Sequence, residues 1–138
     1  MVGPIPETAE SSMSDIIHTD RAPAAIGPYS QAVKAGGTVY FSGQIPLDPA
    51  TGELVAGGIE AQARQAFDNL KAVAEAAGGS LEKMVRVGLF LTDLGEFAQV
   101  NAVMQDYFKA PFPARSTIQV AALPKGARFE VEATMVLD

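Results

Sequence analysis

The spacing of apolar residues changes period several times along the chain, and each change predicts an element. SDIIHTD (14–20) has a short β-like centre. RAPAAIGPYS (21–30), with two prolines and a glycine, reads as an ordered loop. QAVKAGGTVYFSG (31–43) predicts two strands joined by a turn at Gly36 and Gly37. QIPLDPATGELV (44–55) is loop, with Asp48-Pro49 and Thr51-Gly52 as turn signals. The period then becomes helical. Ile59, Ala63, Ala66, Phe67, Leu70, Val73, Ala74 and Ala77 form one stripe, and Gly78 and Gly79 supply its stop.

MVRVGLFLT (84–92) predicts a strand apolar enough to be covered on both faces. Asp93, with Glu96 three residues on, has the form of a capping box. The helix it opens would turn Phe97, Val100, Val103, Met104, Tyr107 and Phe108 inward, until Pro111 and Pro113 end it. Two further strands follow, RSTIQVAAL and RFEVEATMVL, around a turn at PKGA (124–127). The pattern predicts an α+β domain: a mixed sheet with two helices on one face. The other face would be solvated or covered by a partner subunit.

Parity along the last two strands sets the candidate chemistry. Arg115, Thr117 and Gln119 point away from Ile118 and Val120; Glu130, Glu132 and Thr134 point away from Phe129 and Val131. Paired as a hairpin, the strands would place an arginine and a carboxylate on one surface. On a wet face such a pair is worth roughly 0–1 kcal/mol. Arg115 has more behind it, because Pro111 and Pro113 restrict the chain ahead of it and Phe112 is placed to anchor that loop. A guanidinium held there can grip a carboxylate through two parallel hydrogen bonds, which a lysine cannot imitate. Glu130 or Glu132 would supply a general acid or base where burial raises its pKa; parity does not separate them. Gly43, at a strand end after Ser42, would let a ligand approach backbone N–H groups. Tyr29 and Asn101 are further candidates, from an ordered loop and from mid-helix.

Composition removes many chemistries. The 138 residues contain no cysteine, which removes disulfides, thiol nucleophiles and thiolate metal sites, and one histidine, His18, which leaves histidine-rich metal sites and Ser-His-Asp triads almost no material. No metal site is expected. The net charge of −6 disfavours a nucleic-acid partner. No apolar run reaches the roughly 18 residues of a membrane span. Residues 1–13 read as a disordered leader, with Met13 a candidate start, and residues 14–138 as a single domain. The leader lacks the basic and apolar regions of a signal peptide, so the expected location is cytoplasmic.

Four stretches together resemble the RidA (YjgF) family: APAAIGPYSQAV (22–33), FSGQIPLDPATGE (41–53), QARQAFDNLKAVAEAAG (62–78) and FPARSTIQVAALPKGARFEVEA (112–133). The resemblance implies a chorismate-mutase-like α+β fold and a homotrimer with a central barrel-like core and ligand sites in the clefts between subunits. It implies cofactor-independent hydrolysis of reactive imines and enamines, such as 2-aminoacrylate, to 2-oxo acids and ammonia. By that resemblance Arg115 binds the substrate carboxylate and Glu130 positions or activates water. Tyr29, Ser42, Gly43 and Asn101 match other pocket positions. Family members often carry Cys where this chain has Thr117, which puts any role of that thiol in doubt. The competing readings are a non-catalytic binder of 2-oxo acids and, from family descriptions, a ribonuclease, translation inhibitor or chaperone.

Overall fold

The computed structural model describes residues 15–138, and the leader read over residues 1–13 lies outside them. The elements run β1 (Asp15–Ile17), β2 (Ala32–Ala35), β3 (Thr38–Gln44), α1 (Ile59–Ala76), β4 (Met84–Leu91), α2 (Phe97–Met104), β5 (Ala114–Gln119) and β6 (Phe129–Val136). The strands form one mixed sheet in the order β1-β2-β3-β6-β4-β5. The β4–β5 pair is parallel, and β4–β6, β3–β6, β2–β3 and β1–β2 are antiparallel.

Helix α1 forms where its stripe predicts, with Ile59, Ala63, Ala66, Phe67, Leu70, Val73 and Ala74 all buried. It ends in a Schellman turn. Gly79 N donates to Ala74 O and Gly78 N to Glu75 O, both at 3.0 Å, with Gly78 at φ +90°. Together with α2 it covers one side of the sheet, where Val39, Phe41, Val87, Leu89, Leu91, Phe129, Val131 and Met135 are buried. Phe67 lies at the centre, its ring 5.3–5.9 Å from those of Tyr107, Phe108 and Phe129. No helix of the described residues is long and apolar enough to cross a membrane.

Helix α2 is shorter than its apolar stripe. It closes at Met104, because Asp106 N and Tyr107 N bond back only three residues, to Val103 O and Met104 O. Tyr107 and Phe108 still pack inward from the turn beyond it. The Tyr107 hydroxyl donates to Asp68 Oδ1 at 2.8 Å, and burial, then that carboxylate, pushes its pKa up to about 12. Only half of the predicted capping box is present. Asp93 Oδ1 accepts from Gly95 N at 2.8 Å, whereas Glu96 pairs with Arg128.

The final two strands do not form a hairpin, because β4 lies between them. A strand reached through a helical crossover settles parallel to the one before it, which places β5 beside β4 at the sheet edge. Residues 120–128 then pass over the end of β4, with Val120 N bonded to Leu91 O and Arg128 O accepting from Thr92 N. Register across β4 fixes which side each residue faces. Arg115, Thr117 and Gln119 pair with Val87, Leu89 and Leu91, on the helix side. Glu130, Glu132 and Thr134 pair with Phe90, Gly88 and Arg86, on the open side. The surface expected to carry both Arg115 and Glu130 is therefore split, and one chain holds them on opposite sides of its sheet. Ile118 also faces the open side, beside Phe90, and is 47% exposed instead of lying in the core. Nor is β4 covered on both faces within the chain, since Val85 and Arg86 are exposed.

Candidate active site

Arg115 is the second residue of edge strand β5. Three residues of α2 meet it. Asn101 Oδ1 accepts from Arg115 Nη1 at 2.7 Å, Met104 Sδ lies 3.6 Å from the same nitrogen, and the guanidinium carbon stands 5.1 Å from the centroid of the Phe97 ring. These residues are separated by four and then three positions, so the helix presents them on one face. The aromatic ring attracts the cation, and the amide sets its in-plane rotation. One nitrogen is held, and the remaining donors border a cavity of about 410 Å³ lined by Asn101, Met104, Gln105, Phe112, Pro113 and Arg115. Phe112 does not anchor the preceding loop in the core; it is 61% exposed and forms part of this cavity wall. Thr117 lies two residues further along β5 on the same side, half-buried. Gln119, next in that series, accepts from Leu94 N at 2.9 Å and ties the start of α2 to the strand carrying the arginine.

Glu130 occupies a second cavity, of about 110 Å³, with Tyr29, Gln31, Gly43, Lys125 and Ile45 among its lining. Its carboxyl rests against the bare backbone of Gly43. A Cβ there would lie 2.1 Å from Glu130 Oε2, so any side chain at position 43 would displace it. Burial, with the charge of Glu132 a smaller contribution, raises the Glu130 pKa above the usual carboxylate range.

The loop carrying Tyr29 is latched from beneath. Gln31 is buried, and its amide bonds Thr19 N at 2.7 Å, Thr19 O at 3.0 Å and Pro23 O at 2.8 Å. Ser42 Oγ donates to Ser30 O at 2.5 Å. Ser42 thus fixes the loop, and Tyr29, 52% exposed, stands at the cavity with its hydroxyl accepting from Ile26 N at 3.4 Å. His18 lies outside both cavities' named linings, exposed and 3.1 Å from Asp20.

The structure therefore sorts the predicted residues into two groups. Arg115 and Asn101 share one cavity, with Thr117 nearby on the same side; Tyr29, Gly43 and Glu130 share the other, with Ser42 behind its wall. Sequence reasoning placed Phe97 and Met104 only in the core, gave Gln31 no role, and set Gln119 on a strand face open to a partner subunit, whereas it lies on the helix side and bonds Leu94 N. The signal for the first two was present, since they flank Asn101 at helical spacing.

The architecture is a mixed six-stranded α+β sheet with two helices on one side, an exposed arginine on its edge strand and a half-buried glutamate on its other side. The chain belongs to the family described as Endoribonuclease L-PSP, the RidA/YjgF family, whose profile matches residues 19–137. It is 50% identical over 123 residues to a 2-iminobutanoate/2-iminopropanoate deaminase of Dermatophagoides farinae, covering 89% of this chain and 96% of the relative. The human protein of the same name is 48% identical over 121 residues, covering 88% of each. Among solved structures, RidA from an Antarctic Psychrobacter superposes with a TM-score of 0.86 at 53% identity, covering 89% of this chain and 99% of the other. TdcF of E. coli, with bound serine, superposes with a TM-score of 0.86 at 46% identity, covering 90% and 99%.

Proposed function

We propose that this protein hydrolyses reactive 2-imino and enamino acids, such as 2-aminoacrylate, to 2-oxo acids and ammonia, as a homotrimer of chorismate-mutase-like chains. The observation that carries the reading is Arg115. Its guanidinium is oriented by Asn101 and Phe97 and opens its free donors into a cavity. That arrangement suits the carboxylate common to these substrates, and the names of the deaminase relatives supply the reaction class. The serine held by TdcF fits the same expectation of a small amino-acid-like ligand.

One chain cannot bring Arg115 and Glu130 to one substrate, since they face opposite sides of its sheet. A second copy can, with the Arg115 edge of one chain set against the Glu130 side of the next. The open side favours such an assembly, since it exposes Val136 on β6, the strand that carries Glu130, Tyr40 on β3 beside it, and Ile118 further along on β5.

In the proposed reaction, the enamine takes a proton at its terminal carbon and becomes an iminium. Glu130 accepts a proton from water as that water attacks the iminium carbon. The same proton then passes to the amine. As the C–N bond breaks and ammonia departs, the hydroxyl oxygen gives up its proton to solvent, which returns the proton taken up at the first step and leaves the 2-oxo acid. The substrate is already reactive, so orientation and one proton carrier are sufficient. No step calls on a cofactor. The ribonuclease activity in the family description is not favoured for this chain, whose net charge of −6 opposes binding to a polyanion. The proposed activity places the protein in the cytoplasm, where pyridoxal-phosphate enzymes acting on serine and threonine release such imines.

The test is release of pyruvate from 2-aminoacrylate generated in place by a serine dehydratase. Wild type is expected to accelerate it; no acceleration over several imines would leave a binding module. The shared site has its own test. Arg115→Ala and Glu130→Gln chains, each inactive alone, are unfolded together and reassembled. Random mixing into trimers restores roughly a quarter of the sites, because the intact halves meet at some interfaces. Reassembly without recovery would remove the shared site.

A further inference from the structure

Of the methionines in the described residues, Met104 is set apart by its surroundings. Met84, Met104 and Met135 all pack into the buried core, Met84 and Met104 to nearly the same depth, and the Met135 sulfur packs so closely on Gly79 that a Cβ there would lie 2.6 Å from it; what distinguishes Met104 is what its sulfur faces. Met104 lines the cavity at Arg115 and places Sδ 3.6 Å from the guanidinium Nη1. Any small polar molecule that enters this cavity meets the thioether and the guanidinium together.

We propose that Met104 is an oxidation site that controls the carboxylate grip of Arg115. The oxidant is a peroxide. The sulfur lone pair attacks one peroxide oxygen, the O–O bond breaks, and the departing oxygen leaves as water after taking up the proton of the attacked oxygen. The sulfur loses two electrons and the peroxide gains them. The guanidinium is not consumed; its N–H groups lower the cost of charge on the departing oxygen, as a preorganised donor does elsewhere. The product is a sulfoxide, whose oxygen is a far stronger acceptor than a thioether. Formed beside Nη1, it turns to the guanidinium and competes with a substrate carboxylate for the same donors. The modification is reversible by methionine sulfoxide reductases. This inference rests on the reading of Arg115 as the carboxylate clamp.

The full-length protein is treated with graded hydrogen peroxide. Peptide mass spectrometry reads the order in which methionines gain oxygen, and calorimetry reads the Kd for 2-oxobutanoate before treatment, after it, and after a methionine sulfoxide reductase. Met104 is expected to oxidise ahead of Met84 and Met135, and the Kd to rise roughly tenfold, the scale of one charge-assisted hydrogen bond, and to return on reduction. Met104→Leu, compared only with itself, keeps the same Kd through the treatment. Earlier oxidation of Met84 or Met135, an unchanged Kd with Met104 fully oxidised, or an equal loss in Met104→Leu would overturn the proposal. So would a loss of binding that tracks loss of the near-ultraviolet circular dichroism of the fold. Arg115→Ala run alongside separates the two readings. If that variant binds 2-oxobutanoate as wild type does, the clamp itself is wrong. If it has lost binding while the oxidised wild type has not, only the role of Met104 is wrong.

Discussion

The two halves of the candidate site are built by opposite means. Arg115 stands on an exposed edge strand and is held by side chains: an amide, an aromatic ring and a thioether, all from α2. Glu130 lies deeper, pressed against the uncovered backbone of Gly43, and its character is set mainly by lost water. A charge that must recognise another charge needs fixed direction, which neighbouring side chains supply. A proton carrier needs a pKa moved toward neutrality, which burial supplies. The contrast suits the proposed division, recognition at one half and proton transfer at the other, and each can be disturbed separately.

The largest effect is expected at Arg115. Arg115→Ala should lower imine hydrolysis by about a hundredfold or more, since truncating one partner of a charged pair costs about 2–5 kcal/mol. Its Tm should stay near wild type, because the side chain is exposed. Arg115→Lys should recover little, as an ammonium lacks the planar fork. A variant that fails to fold or assemble would make Arg115 structural instead. At the other half, Glu130→Gln should cut kcat by roughly a hundredfold, within the range of general acid–base catalysis, and leave the Kd for 2-oxobutanoate almost unchanged. Gly43→Ala should resemble it, because the new Cβ would occupy the place of the carboxyl oxygen. Equal losses in turnover and binding would mean that Glu130 shapes the pocket and carries no proton.

A smaller effect tests how Arg115 is held. Phe97→Leu keeps an apolar side chain but removes the ring from the guanidinium. Losing a cation–π contact at a partly open site costs about 0.5–1 kcal/mol, so the Kd for 2-oxobutanoate should rise roughly two- to fivefold. The kcat should hold, and Phe97→Tyr should restore the Kd. A fall in kcat with no change in Kd would show that the ring does not act through Arg115.

Most of the elements were legible in the chain because their periods are long and unbroken. The α1 stripe, the turn at Gly36 and Gly37 and the β4 run all form where the pattern puts them. What escaped was pairing. RSTIQVAAL and RFEVEATMVL are separated by a short turn signal, which reads locally as a hairpin, but sheet order is decided by the crossover through α2, a non-local constraint. That single error moved Glu130 to the other side of the sheet. The end of α2 was misjudged for a related reason. Tyr107 and Phe108 continue the apolar stripe, and burial continues beyond the helix into a tighter turn. The candidate site residues were picked out by family resemblance and parity. Their division into two cavities was not, because it depends on which strand lies between.

The smallest effect bears most directly on the contrast in environment. A carboxyl whose folded pKa is raised binds its proton more tightly in the native state than in the unfolded one. Its contribution to stability is therefore full below the unfolded value, near 4.5, and is lost as pH rises through the folded value. Glu130→Gln removes this dependence. The Tm difference, variant minus wild type, should be flat in acid, grow as pH rises through that window and level off above the folded value. The difference should be small, because the carboxyl is only half-buried. Thermal scans of both proteins across that range measure it. A difference that falls with pH would reverse the sign of the argument. Glu130 would then be stabilised as an anion, by a cation such as Lys125 in its own cavity or one from a neighbouring copy. Comparing the difference in Lys125→Ala and in Arg115→Ala backgrounds would tell which, the second meaning that the two halves of the site are electrostatically joined before any substrate arrives.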